Sequence, residues 1–418
     1  MRCAAPHCAD VGEILAARKP KEEHDEQKAR LPDAVDIAKQ LIVHLNKEFG
    51  TRVAYNLSND TSPTHVKRWI HTGSVQLDYI VSNRRNGGLP EGRIIEIAGP
   101  PSSGKSHIAF HLARTVQELG GIVVYIDSEN AVPLEKLAEM GVDVNKRFVY
   151  CDTHCTEEVF KLAEATIMHA TAANANVPVL IVWDSVAATA PKQELEGEYD
   201  DQQMGLQARV IAKALRKITG IIASHNVTFL CLNQIKSKVG VVFGSPEFTP
   251  GGAAIPFHAS VRIKLSAGKQ VKDPQGNVLG IEVTATVTKN KVSRPFRKAT
   301  FLILFGYGII EHEQIFDEFK EALKANVPIR LARNGRQYVY ADGQWRTFVV
   351  LDADGQEVYQ KRYQRNSLPE LMRDPEFNAH VMDALEAIMV ISNPDYEAAE
   401  IESAVEAQQQ KAVEMLCS

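Results

Sequence analysis

The eight residues Gly99-Pro100-Pro101-Ser102-Ser103-Gly104-Lys105-Ser106 constrain this chain more than any other stretch, because they match G-x-x-x-x-G-K-[ST] without a gap. Their setting gives the match its weight. The apolar run Ile94 to Ala98 precedes them and a helix-like segment from about Lys105 follows, which is the strand, loop and helix order a phosphate-binding loop needs. Glycines let backbone N–H groups turn inward on a phosphate, and the helix N-terminus adds a favourable dipole. Lys105 is then the side chain that reaches the terminal phosphates, Ser106 the Mg2+ ligand, and His107 the next residue along the site. A Gly/Ser loop with no ligand is the plain alternative.

Such a loop belongs in an α/β sheet, and the downstream sequence supplies one. Short apolar runs at Ile94 to Ala98, Val123 to Ile126, Val179 to Trp183 and Thr228 to Leu232 alternate with helical patterns, the signature of a mainly parallel twisted sheet with helices on both faces. Two alternating runs, Val261 to Leu265 and Ile281 to Lys289, flank the turn Asp273-Pro-Gln-Gly276 and predict an antiparallel extension. Carboxylates follow two of the strands. Asp184 closes the run Val179 to Trp183, where a P-loop enzyme needs a carboxylate to orient Mg2+, although an Asp there could instead cap a helix. Asp127 and Glu129 close another run; Asp127 is a candidate cofactor-binding residue, and Glu129 is the candidate general base for activating water. Gln234, at the end of the fourth run, is placed to sense a terminal phosphate, although a strand-end Gln is commonly structural.

The boundaries are read as follows. Residues 1–65 form an N-terminal arm and a helical oligomerisation module, with helical spacing from Asp33 to Phe49; 66–310 form the ATPase core. Residues 311–394 mix helices (Ile315 to Ala325, Asn378 to Ile391) with hairpin signals at Asp342-Gly343 and Asp354-Gly355, so a small α+β domain is expected. Residues 395–418 read as an acid-leaning tail, with six acidic side chains and one lysine from Asp395 to Glu414.

Composition excludes little. The 418 residues, 44% hydrophobic and 24% charged, suit a large soluble core, and the net charge of −5 means that any contact with nucleic acid must come from a local basic patch. Six scattered cysteines argue against a disulfide framework and fit a reducing cytosol. Cys151 and Cys155 lack a second ligand pair at zinc-like spacing, so thiols in the core or a loop are the better reading. Neither a signal peptide nor a membrane-spanning run is found, and a cytoplasmic protein is expected.

Two further features point to nucleic acid. The segment after Leu232 carries Lys236 and Lys238 and ends in Gly251-Gly252, whose backbone suits close approach to a phosphodiester chain, although an active-site lid could look the same. The helix before it carries Arg209, Lys213, Arg216 and Lys217 on one face and Val210, Ile211, Ala214, Leu215 and Ile218 on the other, a phosphate track or simply a solvated face.

The runs GPPSSGKS, YIDSEN, VLIVWDSVAATAPKQELEGE, MGLQAR, LNQIKSKVGVVFGSPE and PGGAAIPFHASVRI stand in the order and spacing of the bacterial RecA family of strand-exchange recombinases. The resemblance spans about residues 66 to 310. It implies a DNA-dependent ATPase that uses ATP and Mg2+, forms a helical filament on single-stranded DNA and pairs it with homologous duplex, with a loader or single-strand-binding protein as a possible partner. It also implies DNA-binding loops that carry Met204 and Val239 as apolar wedges, a subunit-interface aromatic at Phe257, and Lys289 and Lys291 reaching the nucleotide of the neighbouring subunit. Departures stand at Lys136, where the family usually has a tyrosine over the adenine, at Pro133 for an aspartate, and at His107, Ala253 and Pro256. They would suit a bacteriophage or otherwise remote member, working in a bacterial cell or host cytoplasm. Two other readings are a RecA-fold helicase or branch-migration motor and a regulatory filament that binds ATP but hydrolyses it weakly.

Overall fold

The computed structural model describes residues 34–57, 62, 64–173, 176–198, 205–237 and 247–391. The N-terminal arm, the acid-leaning tail, Met204, Lys238 and Val239 lie outside the described residues. Contacts divide the chain into Met1–Ser62 and Pro63–Ser418. The described part of the first unit, residues 34–57 and 62, contains the helix α1, Ala34–Glu48, which has no buried residue of its own.

In the second unit the predicted sheet has nine strands: β1 Ile94–Gly99, β2 Ile122–Asp127, β3 Phe148–Asp152, β4 Val179–Asp184, β5 Val227–Gln234, β6 Val261–Lys272, β7 Val278–Asn290, β8 Lys298–Leu304 and β9 Gly308–Ile310. Their spatial order is β9-β8-β7-β6-β1-β5-β4-β2-β3. The six strands from β6 to β3 in that order are parallel, and β7, β8 and β9 continue the sheet antiparallel; the two alternating runs anticipate the antiparallel β6–β7 pair, whereas β8 and β9 do not stand out in the sequence. The edge strand β3 is not among the runs singled out in the sequence, although Phe148-Val149-Tyr150-Cys151 is apolar; as an edge strand it leaves Val149 and Tyr150 each 48% exposed.

Alternation along each strand sends side chains to opposite faces, and both faces are covered. On one face Ile181, Trp183, Phe229 and Cys231 pack against Phe160 of α5 (Thr156–Ala173) and against Ile211, Leu215, Ile218 and Ile222 of α6 (Leu206–His225). On the other, Ile95, Ile97, Tyr125 and Val182 pack against Ile108, Leu112 and Val116 of α3 (Lys105–Glu118).

That second apolar cluster continues without a break into the C-terminal region, through Phe316, Phe319, Phe348 and Phe377. There a four-stranded antiparallel sheet, Ile329–Arg330, Gln337–Ala341, Arg346–Leu351 and Glu357–Tyr363, is covered by His312–Lys324 and Pro375–Met389. Polar ties fasten it to the core. Arg85 and Arg333 converge on Asp383 and Glu386, and the Glu311 carboxylate accepts from Ser74 Oγ at 2.6 Å and from the Val75 N–H at the start of helix Val75–Ser82. Asn83-Arg-Arg-Asn86, which looks like an insertion in the sequence, thus supplies an anchor for the last helix. Among the described residues no helix is long and apolar enough to cross a membrane.

Candidate active site

Parallel register gathers the chemistry at one edge. Asp127 pairs with Asp184, Asp184 with Leu232, and Gly99 with Gln234, so the strand ends singled out in the sequence finish side by side at the carboxyl edge of the sheet. Ligands bind in open α/β sheets at such an edge. A cleft of about 510 Å3 opens there, lined by Ser102, Ser103, Gly104, Lys105, Ser106, His107, Glu129 and Asp184, and farther along by Pro133, Lys136, Ile281, Ile303 and Phe305.

The loop that starts it has Ser102 at φ 57° and Gly104 at φ 89°. The latter favours glycine, since a residue with a Cβ is strained at that φ and its Cβ would also have to displace Ile303 Cδ1, 2.2 Å away. Lys105 Nζ donates to the carbonyls of Gly99 at 3.1 Å and Pro100 at 2.9 Å. Burial lowers its pKa, while Asp184 and Glu129 oppose the shift. Ser106 Oγ donates to Asp184 Oδ2 at 3.0 Å, and burial raises the pKa of that carboxyl. The hydroxyl and the carboxylate are hard oxygen donors of the kind Mg2+ takes, and Ser103 Oγ is buried without a protein partner, so the residues present fit a phosphate with its metal. The peptide between Asp184 and Ser185 is cis.

Glu129 points into the cleft with its Oε1 held by Ser185 Oγ and by Gln234 Nε2, the latter at 3.3 Å. Asp127 departs from expectation. It is 1% exposed, and its carboxylate accepts from the N–H groups of Glu129, Ala131 and Val132 and from Tyr150 O–H at 3.1 Å, so it shapes the turn that carries Glu129 and does not line the cleft. Gly99, Pro100 and Pro101 do not line it either; Gly99 completes β1.

The other expected contacts fall on two further surfaces. Arg209, Lys213 and Arg216 are exposed on α6, and none forms an ion pair among the described residues; Lys217 is paired with Glu164 at 2.6 Å. Lys236 is exposed in a two-residue strand, Lys236–Ser237, paired with Glu247–Phe248. The glycine pair is split. Gly251 is buried, its Cβ position 3.0 Å from Ile211 Cδ1, so it serves packing against α6 and cannot offer an open backbone; Gly252 is exposed. Phe257, 73% exposed, lies in the short helix Ala254–His258, whose carbonyls receive Lys289 Nζ (Pro256 at 2.6 Å, Phe257 at 2.8 Å) and Lys291 Nζ (Phe257 at 3.4 Å). These three residues are together, but none lines the P-loop cleft.

Comparison with known proteins meets this geometry over the same residues. The RecA N-terminal domain family model matches residues 36–310. The chain belongs to the RecA family. Among its relatives, Protein RecA of Ruminococcus albus is 39% identical over 306 residues, covering 72% of this chain and 74% of the relative. The protein of the same name from Symbiobacterium thermophilum is 38% identical over 309 residues, 74% of this chain and 83% of the relative, and that of Staphylococcus aureus 40% over 281 residues, 66% and 76%.

Several side chains of this RecA-family cleft escape a sequence reading. Ile281, Ile303 and Phe305 come from the antiparallel extension, where they read as ordinary strand residues; their neighbour His107 has ring-centroid distances of 6.3 Å to Phe110 and Phe305. Burial, helped by Lys136, lowers the His107 pKa. Ser185 and Tyr125 lie inside the runs VLIVWDSVAATAPKQELEGE and YIDSEN, but nothing in the sequence gives either a role at the site. The Tyr125 hydroxyl nevertheless donates to Asp184 Oδ2 at 2.6 Å.

Proposed function

We propose that the P-loop cleft is the ATPase centre of a DNA strand-exchange recombinase. The chain is a RecA-family DNA-dependent ATPase acting in recombination and repair, and the observation that carries the site assignment is the convergence of Lys105, Ser106, Asp184, Glu129 and Gln234 on one cleft. ATP is the substrate, with its phosphates in the loop from Ser102 to Ser106 and its base toward Pro133, Lys136 and Phe305. Lys105 exchanges the Gly99 and Pro100 carbonyls for phosphate oxygens, an exchange favoured because a partly desolvated ammonium gains more from an anion than from neutral acceptors. Ser106 and Asp184 are the residues that would hold Mg2+, which would supply neutralisation of charge on the phosphates. Glu129 accepts a proton from the attacking water, and its contact with Gln234 links that base to the segment bearing Lys236, so DNA on the segment can reset the base.

DNA is held by Arg209, Lys213, Arg216, Lys236 and Gly252, with Met204, Lys238 and Val239 as further contacts. Sequence enters through base pairing, so these residues need hold only backbone and geometry. Phe257, Lys289 and Lys291 face the neighbouring copy in a filament, residues 1–65 serve assembly, and residues 311–394 form an accessory α+β region whose apolar core is continuous with that of the ATPase part. A single-strand-binding protein or loader shares the DNA in the cytoplasm.

The test is ATP hydrolysis with and without single-stranded DNA, run beside exchange between circular single strands and homologous linear duplex. DNA-stimulated turnover with joint molecules is expected. Unwinding of forked DNA without exchange would put a motor in its place, and binding without turnover a regulatory filament.

A further inference from the structure

Tyr125 is wholly buried on β2, its ring stacked on Phe148 with centroids 6.1 Å apart and lying 6.0 Å from Phe110. Packing between two aromatics fixes where its hydroxyl points. β2 and β4 are neighbours, with Tyr125 opposite Val182, so a phenol reaching along the strand meets Asp184. It donates to Oδ2 at 2.6 Å, and Ser106 Oγ donates to the same oxygen at 3.0 Å.

We propose that Tyr125 is a positioning residue that locks the Asp184 carboxylate for Mg2+. The inference rests on the reading of Asp184 as the metal-side carboxylate. Ser106 has two duties, since its oxygen is the one offered to the metal while its hydroxyl donates a hydrogen bond to Asp184. Tyr125 has one, and it keeps Asp184 in the same rotamer whether or not Ser106 is engaged elsewhere. With both hydrogen bonds on Oδ2, Oδ1 is the oxygen left for the metal and its hydration shell. A ring alone would fill the space between Phe110 and Phe148, because phenylalanine has the same shape, so packing does not account for the hydroxyl. A carboxylate fixed by a neutral donor is a recurrent outer-shell device in metal sites, and its removal there typically costs about 10- to 100-fold in metal affinity.

The experiment uses the full chain and the variants Tyr125→Phe and Asp184→Asn. Binding of a fluorescent ATP analogue is titrated with Mg2+ and repeated in EDTA, with melting temperature and the Mg2+ dependence of hydrolysis measured alongside. Tyr125→Phe is expected to raise the half-saturating Mg2+ concentration about 10-fold while leaving metal-free nucleotide affinity and melting temperature as in wild type. Asp184→Asn is expected to raise it further. An unchanged Mg2+ dependence in Tyr125→Phe beside a shifted one in Asp184→Asn would overturn the role of Tyr125 and leave that of Asp184 standing. If neither variant shifts it, the reading of Asp184 falls and takes the proposal with it. A Tyr125→Phe variant that loses metal-free affinity and stability in the same measure would make the hydroxyl a folding element, which also overturns the proposal.

Discussion

The carboxyl edge of the sheet and the outer face of α6 both carry charge, yet they are built in opposite ways. At the sheet edge each group is tied to a protein partner: Lys105 to two carbonyls, Asp184 to Ser106 and Tyr125, Glu129 to Ser185 and Gln234. On α6 the guanidinium and ammonium groups of Arg209, Lys213 and Arg216 stand in water with no ion pair among the described residues. The first arrangement suits chemistry, where sub-ångström placement decides the barrier; the second suits a polyanion whose contacts come mainly from charge and released counterions. Burial makes the difference at Lys105 and Asp184, because desolvated charge must be partnered while exposed charge need not be; Glu129 is exposed and is tied only because Ser185 and Gln234 stand beside it.

The sharpest way to break the comparison is at the base. Glu129→Gln removes the proton acceptor and keeps the shape, so DNA-stimulated hydrolysis should fall by about 10^2- to 10^4-fold. Binding of single-stranded DNA with ATP present, read by fluorescence anisotropy, should stay near wild type. Weakened DNA binding of the same order would mean that the two surfaces are not separable.

Burial on the cleft side also predicts a pH effect that the α6 face should lack. His111 of α3 accepts from the Ile309 N–H through Nε2 at 3.1 Å. Burial, with smaller contributions from Arg114, His71 and His107, pushes its pKa down to about 4. The unfolded chain takes up that proton near pH 6.5, so between about 6.5 and 4 the unfolded state binds more protons and stability falls as pH drops. The expected loss is about 3 kcal/mol across that window, read by urea unfolding at stepped pH. In His111→Gln this part of the slope should vanish; an unchanged slope would place the titration elsewhere.

The smallest effect is expected on the open face. Replacing Arg209, Lys213 and Arg216 together by Ala should lower the slope of log affinity for single-stranded DNA against log salt by about 2, since each phosphate contact adds about 0.7. Hydrolysis without DNA should not change. Lys217→Ala, which removes a lysine already paired with Glu164, should move the slope less than any of the three. Equal effects from all four would reduce α6 to a diffuse field with no track.

The phosphate loop, the parallel strands, the antiparallel extension and the amphipathic α6 are legible in the sequence because each is local. A contiguous motif, an apolar run or a period of 3.6 says which conformation a segment takes and which side it buries. Asp184 and Glu129 are legible for a related reason: strand ends in a parallel sheet share one edge, so position along the chain predicts position in space.

What only the tertiary structure decided depends on which neighbour a side chain meets. Asp127 looks equivalent to Glu129 in sequence, but the turn folds back over its carboxylate and leaves it holding backbone. Gly251 looks like an open loop glycine until Ile211 is found against it. Tyr125 looks like core and delivers its hydroxyl to the Asp184 carboxylate of the adjacent strand. Local pattern fixes the backbone of each element, whereas hydrogen bonds between elements distant in sequence form only once packing has set their register. Those bonds decide which of several similar residues does the chemistry.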